Sequence, residues 1–318
     1  MKFSRIICSV MALIFIISVM CGCSSLKIEY DNAEKYTAGN NTINDEVETI
    51  EIEWISGNIN LLSHEENYLS IVEDSESLDE EKQVHWWLDN TTLRIRYSAP
   101  GNYMMTLDKL LNLEKKDLTI YIPQSLTVKK ISISQSTGDI NLGTVKITDL
   151  SINSISGAIV LNCDAENIDI KSTSGNIEIN QETPAKTVNV NSTSGNSDIR
   201  YAEVGEITIE ATSGKTSLSA EKVGKVNISK ISGATECSFD EILTECVINA
   251  TSGDIKIEVP ETLGFTAKVS KTTGDFNSDF ELEKGNDTCV NGDGMAKIDI
   301  SVTSGDISIT AKQEISNN

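Results

Sequence analysis

Hydrophobic and polar residues alternate along most of this chain, and the alternation changes phase at a recurring pair, Ser or Thr followed by Gly. Representative stretches are "INSISGAIVL", "KSTSGNIEIN" and "INATSGDIKI", and the glycines of the ten copies are Gly57, Gly138, Gly157, Gly175, Gly195, Gly214, Gly233, Gly253, Gly274 and Gly305. Seven and five residues before each glycine the side chain is always apolar, from Ile50 and Ile52 to Ile298 and Ile300. Two and four residues after it, sixteen of the twenty positions are apolar; Ser197, Thr216, Thr235 and Ser278 are the exceptions. Each flank therefore reads as a β-strand with one buried face, rich in β-branched residues.

The phase decides how the flanks relate. From five before to two after is seven residues, an odd number. In one straight strand those side chains would point to opposite faces. Both are apolar, so the chain must bend between them, and the bend falls on the glycine, which tolerates backbone angles that a β-carbon forbids. The Ser or Thr beside it is then a corner residue whose hydroxyl can bond local amides, rather than a nucleophile on a turn.

From Gly138 to Gly274 the copies recur every 18 to 21 residues, the spacing of a solenoid. The expected fold is all-β: a parallel β-helix of about nine or ten coils of roughly twenty residues, right-handed by the general rule for parallel crossovers. Connectors such as "QETPAK" and "DEILTE" carry few apolar residues; Ala185, Val204, Val223 and Ile242 are read as closing the third side of each coil. An antiparallel sandwich of hairpins is the rival, but it would bring strands together out of phase. A leucine-rich repeat lacks its Leu framework and Asn ladder here.

The flanking regions set the domain organisation. Residues 1–22 combine Lys2 and Arg5 with the apolar run 6–20 and end in "MCGC", reading as a signal peptide that leaves Cys23 to receive a lipid. Residues 23–46 are polar and read as a flexible tether, 47–312 as the solenoid and 313–318 as a polar tail. Two insertions interrupt the solenoid, 62–130 as a cap and 281–294 as a loop. The first holds His64, His85, Trp86 and Trp87, and "SLDEEKQV" within it reads as a short helix. His85, Trp86 and Trp87 are a candidate recognition patch for glycan or peptide, or simply an apolar lid over the first coil. In the second, Asp287, Asn291 and Asp293 have oxygen ligands but not the regular spacing of a calcium loop.

Composition narrows the function classes. The chain has 26 Lys and Arg against 48 Asp and Glu. Cleavage after residue 22 would take two of the basic residues and no acidic one, leaving a net charge of −24. Such a surface repels nucleic acid and anionic lipid. Cys163, Cys237, Cys246 and Cys289 lie beyond Cys23 at spacings that form no zinc signature, and Cys237 and Cys246 take repeat positions otherwise held by aliphatic residues, so buried free thiols are expected. No metal or cofactor is implied.

The segments "NAEKYTAGN" (32–40), "VETIEIEWISGNI" (47–59), "LDEEKQVHWWLDNTTLRI" (78–95), "KKDLTIYIP" (115–123) and "GDGMAKIDISVTSGDI" (292–307) together resemble the bacterial putative-adhesin family of β-strand-repeat lipoproteins. The resemblance covers essentially the whole chain after residue 22. It implies a solenoid on the extracytoplasmic side of a membrane and supplies no catalytic residue. The expected function is a non-catalytic, lipid-anchored binding scaffold in the cell envelope. Its expected partners are the membrane, through Cys23, and an envelope glycan or protein. An envelope-stress regulator working with a membrane partner is the alternative. A polysaccharide-cleaving β-helix is the weakest reading: only Arg94, Arg96 and Arg200 remain as arginines beyond Arg5, and no corner serine has a paired base in the sequence.

Overall fold

A computed structural model describes residues 24–75, 78–105, 115–281 and 288–312. Strand after strand lies parallel to its neighbour with like repeat positions side by side. Thr127–Thr137 pairs with Lys146–Ser156, placing Ile131 beside Leu150 and Ile133 beside Ile152. Lys146–Ser156 pairs in turn with Asp164–Ser174, and that strand with Ala185–Ser194. Beyond the corner, Ile140–Leu142, Ile159–Leu161, Ile177–Gln181 and Ser197–Ala211 form the second face in the same fashion. These parallel registers exclude the hairpin sandwich.

The interior is a set of aliphatic columns. Ile50, Ile59, Ile140, Ile159, Val188, Ile207, Val226 and Ile248 are each fully buried. Ala185, Val204, Val223 and Ile242 are buried too and close the third side as expected. In the column two residues after the glycine, Ser197, Thr216 and Thr235 replace the aliphatic residue and stay buried; Thr is close to Val in shape, so the stack keeps its volume there. The four described cysteines are free and buried. Burial pushes the thiols of Cys163 and Cys237 up to about 12, because a thiolate enclosed between coils would have no water to solvate it.

Each corner glycine has positive φ, from 95° at Gly233 to 146° at Gly305. There is a second constraint. A β-carbon on Gly157 would lie 1.9 Å from the carbonyl oxygen of Gly138, and one on Gly175 would lie 1.9 Å from that of Gly157. The corners therefore stack as a glycine column in which every member makes room for the carbonyl of the coil before it.

The order of coils in space differs from their order in sequence at both ends. Thr49–Ser56 lies between Thr127–Thr137 and Thr92–Arg96, parallel to both. On the second face Ile59–His64 lies between Ile140–Leu142 and Asp117–Pro123. Thr92–Arg96 and Asp117–Pro123 thus supply an extra outermost coil, and Lys116 occupies its corner: a β-carbon on Gly57 would meet the Lys116 carbonyl oxygen at 2.1 Å. At the other end, Ala296–Ser304 is inserted between Thr235–Ser252 and Phe265–Thr273. Ile307–Ala311 is likewise inserted between Ile255–Val259 and Phe276–Ser278. A consecutive stack was the expectation. All copies share one apolar pattern, so that pattern cannot encode which copy neighbours which.

Two further expectations are corrected. The segment 23–46, read as a flexible tether, enters the fold from Ser24. Ser24–Ile28 pairs antiparallel with Gly101–Met105, Thr37–Ala38 with His85 and Trp86, and Asn41–Ile43 with Leu69–Ile71. Its low apolar content misleads because it contributes backbone, covering strand edges that would otherwise be open. The expected helix in "SLDEEKQV" is a single 3-10 turn, Glu80–Lys82, with no side-chain cap from Asp79. Cys23, Asp287 and the tail 313–318 lie outside the described residues.

Candidate functional site

The corners have a chemistry of their own. Three residues before the glycine, three long side chains turn inward and donate to the corner carbonyl of the preceding coil. Trp54 Nε1 donates to Lys116 O at 2.9 Å, Gln135 Nε2 to Gly57 O at 2.6 Å, and Lys230 Nζ to Gly214 O at 2.7 Å. Ser154, Ser172 and Ser192 hold the same position with buried hydroxyls that have no hydrogen-bond partner among the described residues.

The residue after the glycine builds a second ladder. Asn58 Oδ1 accepts from the N–H of Asp139, Asp139 Oδ1 from that of Ala158, and Asn196 Oδ1 from that of Lys215. Asp254 then serves Asp306, and Asp306 serves Asp275. The acids that follow the corners are thus backbone clips between coils. The hydroxyls before the glycine are engaged similarly: Ser213 Oγ donates to Thr193 O, Ser232 Oγ to Thr212 O and Thr273 Oγ1 to Thr303 O. None of these groups is set up for nucleophilic attack.

The predicted patch of His85, Trp86 and Trp87 lies in the cap at the first end. His85 is buried, with Nδ1 2.9 Å from Gln83 O. Trp86 packs against the core and donates Nε1 to Gly39 O at 3.2 Å. Trp87 faces the opposite way and stacks edge-on to Tyr36 at 5.7 Å, with Lys35 4.7 Å and Arg94 5.9 Å from its ring centre. The three residues therefore do not converge on one open surface. In the second insertion, Asn291 Nδ2 donates to the carbonyls of Glu261 and Leu263, and Asp293 Oδ1 accepts from Met295 N–H. Among the described residues, no group of three His, Cys, Asp or Glu is placed to hold a metal ion.

Under the cap lies a polar node that the sequence does not announce. Lys116 is fully buried beneath the rings of Trp54 and Tyr97, 5.2 and 4.1 Å away. Its Nζ contacts Glu73 Oε2 at 3.3 Å and donates to the carbonyls of Lys82 and Tyr97. Glu73 also accepts from Val84 N–H and from Ser75 Oγ, the latter at 2.8 Å. Lys116 and Glu73 read as surface residues in "LEKKDL" and "IVEDSE"; only the tertiary fold brings them together.

One concave feature of the rod is a groove of about 480 Å³ across the coils of Gly195 to Gly305, floored by Ser192, Ala211, Lys230 and Ala250. Burial lowers the Lys230 amine to about 8. These residues escape notice in the sequence because each occupies an ordinary position of the repeat.

A family model described as Toastrack DUF4097 matches residues 47–310. No curated protein matches the chain. Among solved structures, a "putative cell adhesion protein" from Clostridium sporogenes aligns at 12% identity and a TM-score of 0.24, covering 86% of this chain and 100% of the other. A "putative lipid binding protein" from Parabacteroides distasonis aligns at 13% identity and a TM-score of 0.38, covering 87% and 97%. A "putative adhesin" from the same organism aligns at 14% identity and 0.29, covering 86% and 97%. With the family model spanning both end coils and every glycine corner between them, the chain belongs to the Toastrack DUF4097 family.

Proposed function

We propose that this protein is a lipid-anchored scaffold of the cell envelope that binds other molecules through the faces of its rod and catalyses no reaction. The observation that carries this reading is the division of labour among its polar groups. The corner hydroxyls of Ser213, Ser232 and Thr273, the acids Asp139, Asp254 and Asp306 after their glycines and the buried lysine–glutamate pair hold the backbone together. What remains outward is a set of regular rows of Ser, Thr, Asn and acidic side chains on a rigid frame, a surface for recognition.

Cys23 is the proposed point of attachment, its diacyl group providing the two chains that stable anchoring needs. With Ser24 already in a strand against Gly101–Met105, a lipid on Cys23 would hold the capped end of the rod at the membrane and direct the other end away from it. The test is Cys23→Ala, followed by fractionation and metabolic labelling with a palmitate analogue. Loss of label and release from the membrane fraction support the reading. A variant that still labels and stays in the membrane fraction removes Cys23 as the anchor.

A further inference from the structure

The corner ladder is interrupted once along the rod. In the earlier coils the glycine N–H donates to the residue before the next glycine: Gly138 N to Ser156 O at 3.1 Å, Gly157 N to Ser174 O and Gly175 N to Ser194 O, both at 3.2 Å. At the next corners, Gly195, Gly214 and Gly233, the glycine N–H has no backbone acceptor among the described residues. The bonds that remain come from the residues before the glycine, Thr212 N to Ser192 O and Ile231 N to Ala211 O, at 3.0 and 3.1 Å. Gly253 N, donating to Ser304 O at 2.9 Å, restores the original pattern. Over the same stretch strand pairing stops short of the corner, at Ser192 beside Ala211, Ala211 beside Lys230 and Lys230 beside Ala250. The groove opens where the corners change.

Its chemistry is specific. Asn191, Glu210 and Asn249 stand on one bank, and Thr212, Ile231 and Thr251 on the other. Glu210 and Lys230 are the ionisable groups of the lining, so the groove is charge-balanced in a chain of net charge −22. Lys230 directs its amine to Gly214 O and Ala234 O, and Glu210 Oε2 accepts from Asn191 Nδ2 at 2.9 Å. A polyanion is repelled by the chain as a whole, and a polycation finds more attraction almost anywhere else on it. The remaining lining groups are amides and hydroxyls, which both donate and accept, as sugar hydroxyls do. Ile231 is 57% exposed and offers an apolar ledge to the C–H face of a sugar ring. The volume is within the range of small-ligand sites.

From this geometry we propose that the groove binds a neutral oligosaccharide. The proposal rests on the reading of the protein as a binding scaffold and names the ligand class and the place. Asn191, Glu210 and Asn249 hold the hydroxyls, and Ile231 carries the ring face.

The purified full chain is titrated with neutral tetrasaccharides of glucose, mannose, galactose and N-acetylglucosamine, with tetragalacturonate as the anionic counterpart, by calorimetry and saturation-transfer NMR. Glu210→Gln, Asn249→Ala and Ile231→Asp are compared with the parent after thermal melts establish that each is folded. The expected result is binding of at least one neutral sugar, weakened tenfold or more by each variant, with tetragalacturonate at least tenfold weaker. No binding across the neutral panel overturns the ligand class. Binding unchanged in all three variants overturns the groove while leaving the scaffold reading in place. Equal binding of tetragalacturonate overturns the charge argument. Failure of Cys23→Ala to release the protein bears only on the anchor.

Discussion

Substituting one corner glycine tests the architecture most directly. In Gly175→Ala the new methyl would sit 1.9 Å from Gly157 O and 2.6 Å from Gly157 C, on a residue with φ of 128°. The backbone conformation alone costs about 1–3 kcal/mol for a residue with a β-carbon. Relieving the clash requires the two coils to part by more than about 1 Å, since Cβ contacts under about 3 Å do not occur in real structures. Such a movement stretches two inter-coil bonds beyond use, Gly157 N to Ser174 O at 3.2 Å and Ile159 N to Asn176 O at 2.9 Å. Each is worth about 1 kcal/mol. The expected loss is therefore about 3–5 kcal/mol, concentrated at the coils of Gly157 and Gly175 because a solenoid is stabilised by nearest neighbours. Gly143→Ala is the control: it has no positive φ, and its nearest contact would be Leu62 Cδ2 at 3.3 Å. Urea unfolding followed by circular dichroism gives the loss, and hydrogen exchange at residues 157–179 locates it. If Gly175→Ala and Gly143→Ala both lose less than about 1 kcal/mol, the glycine column is not what sets the stacking distance.

Two more perturbations probe the buried polar groups. Glu73→Gln removes the carboxylate that contacts the buried Lys116 amine and is expected to lower stability by about 3–5 kcal/mol, whereas Glu73→Gln with Lys116→Met is expected to recover much of it; additive losses in urea midpoints would refute the pairing. Lys230 gives a pH signature. Its amine titrates at about 8 in the fold against an ordinary value of 10.5, so between those values the unfolded chain binds the extra proton and stability rises with pH. The slope contributed by this one group approaches about 1.4 kcal/mol per pH unit. Measured as the difference between the parent and Lys230→Gln, stability should climb from pH 8 to pH 10; a flat difference refutes a lowered Lys230.

Much of the fold is legible in the sequence because its physics is local. The odd spacing across Ser/Thr-Gly forces a bend, and the bend forces a coil, whatever lies further along the chain. The corner donors are harder to recognise. Trp54, Gln135 and Lys230 share no property except reach, and each finds the same carbonyl, that of the preceding corner. The clip after the glycine is visible in principle. Asn or Asp follows seven of the ten glycines, and two of the exceptions, Lys215 and Ala234, adjoin Gly214 and Gly233. Those are corners where the bond from the glycine N–H drops out and the groove opens. The third exception, Ala158, falls at an ordinary corner, so the missing clip is a pointer to the groove rather than a code for it. The Lys116–Glu73 node, by contrast, depends on a contact 43 residues apart in sequence, and nothing in either neighbourhood signals burial.

The exchanged coils at the two ends explain how a short stack of parallel strands avoids peeling. In a solenoid wound strictly in order, the last coil ends in a free terminus and can fray one strand at a time. Here the outermost coil at the second end, Phe265–Thr273 with Phe276–Ser278, is a loop whose two feet are held in the stack by Ile255–Val259 and Ala296–Ser304. The outermost coil at the first end is held in the same way, between Ile59–His64 and Thr127–Thr137, whose coils adjoin directly. Detaching either one releases a chain segment whose ends remain fixed, so it gains less conformational entropy than a free end of equal length would. The released segment must also leave behind a fresh pair of open strand edges. Both effects favour the closed stack. The outward rows of side chains consequently keep their spacing from one end of the rod to the other, and a recognition surface spread over several coils requires that constancy.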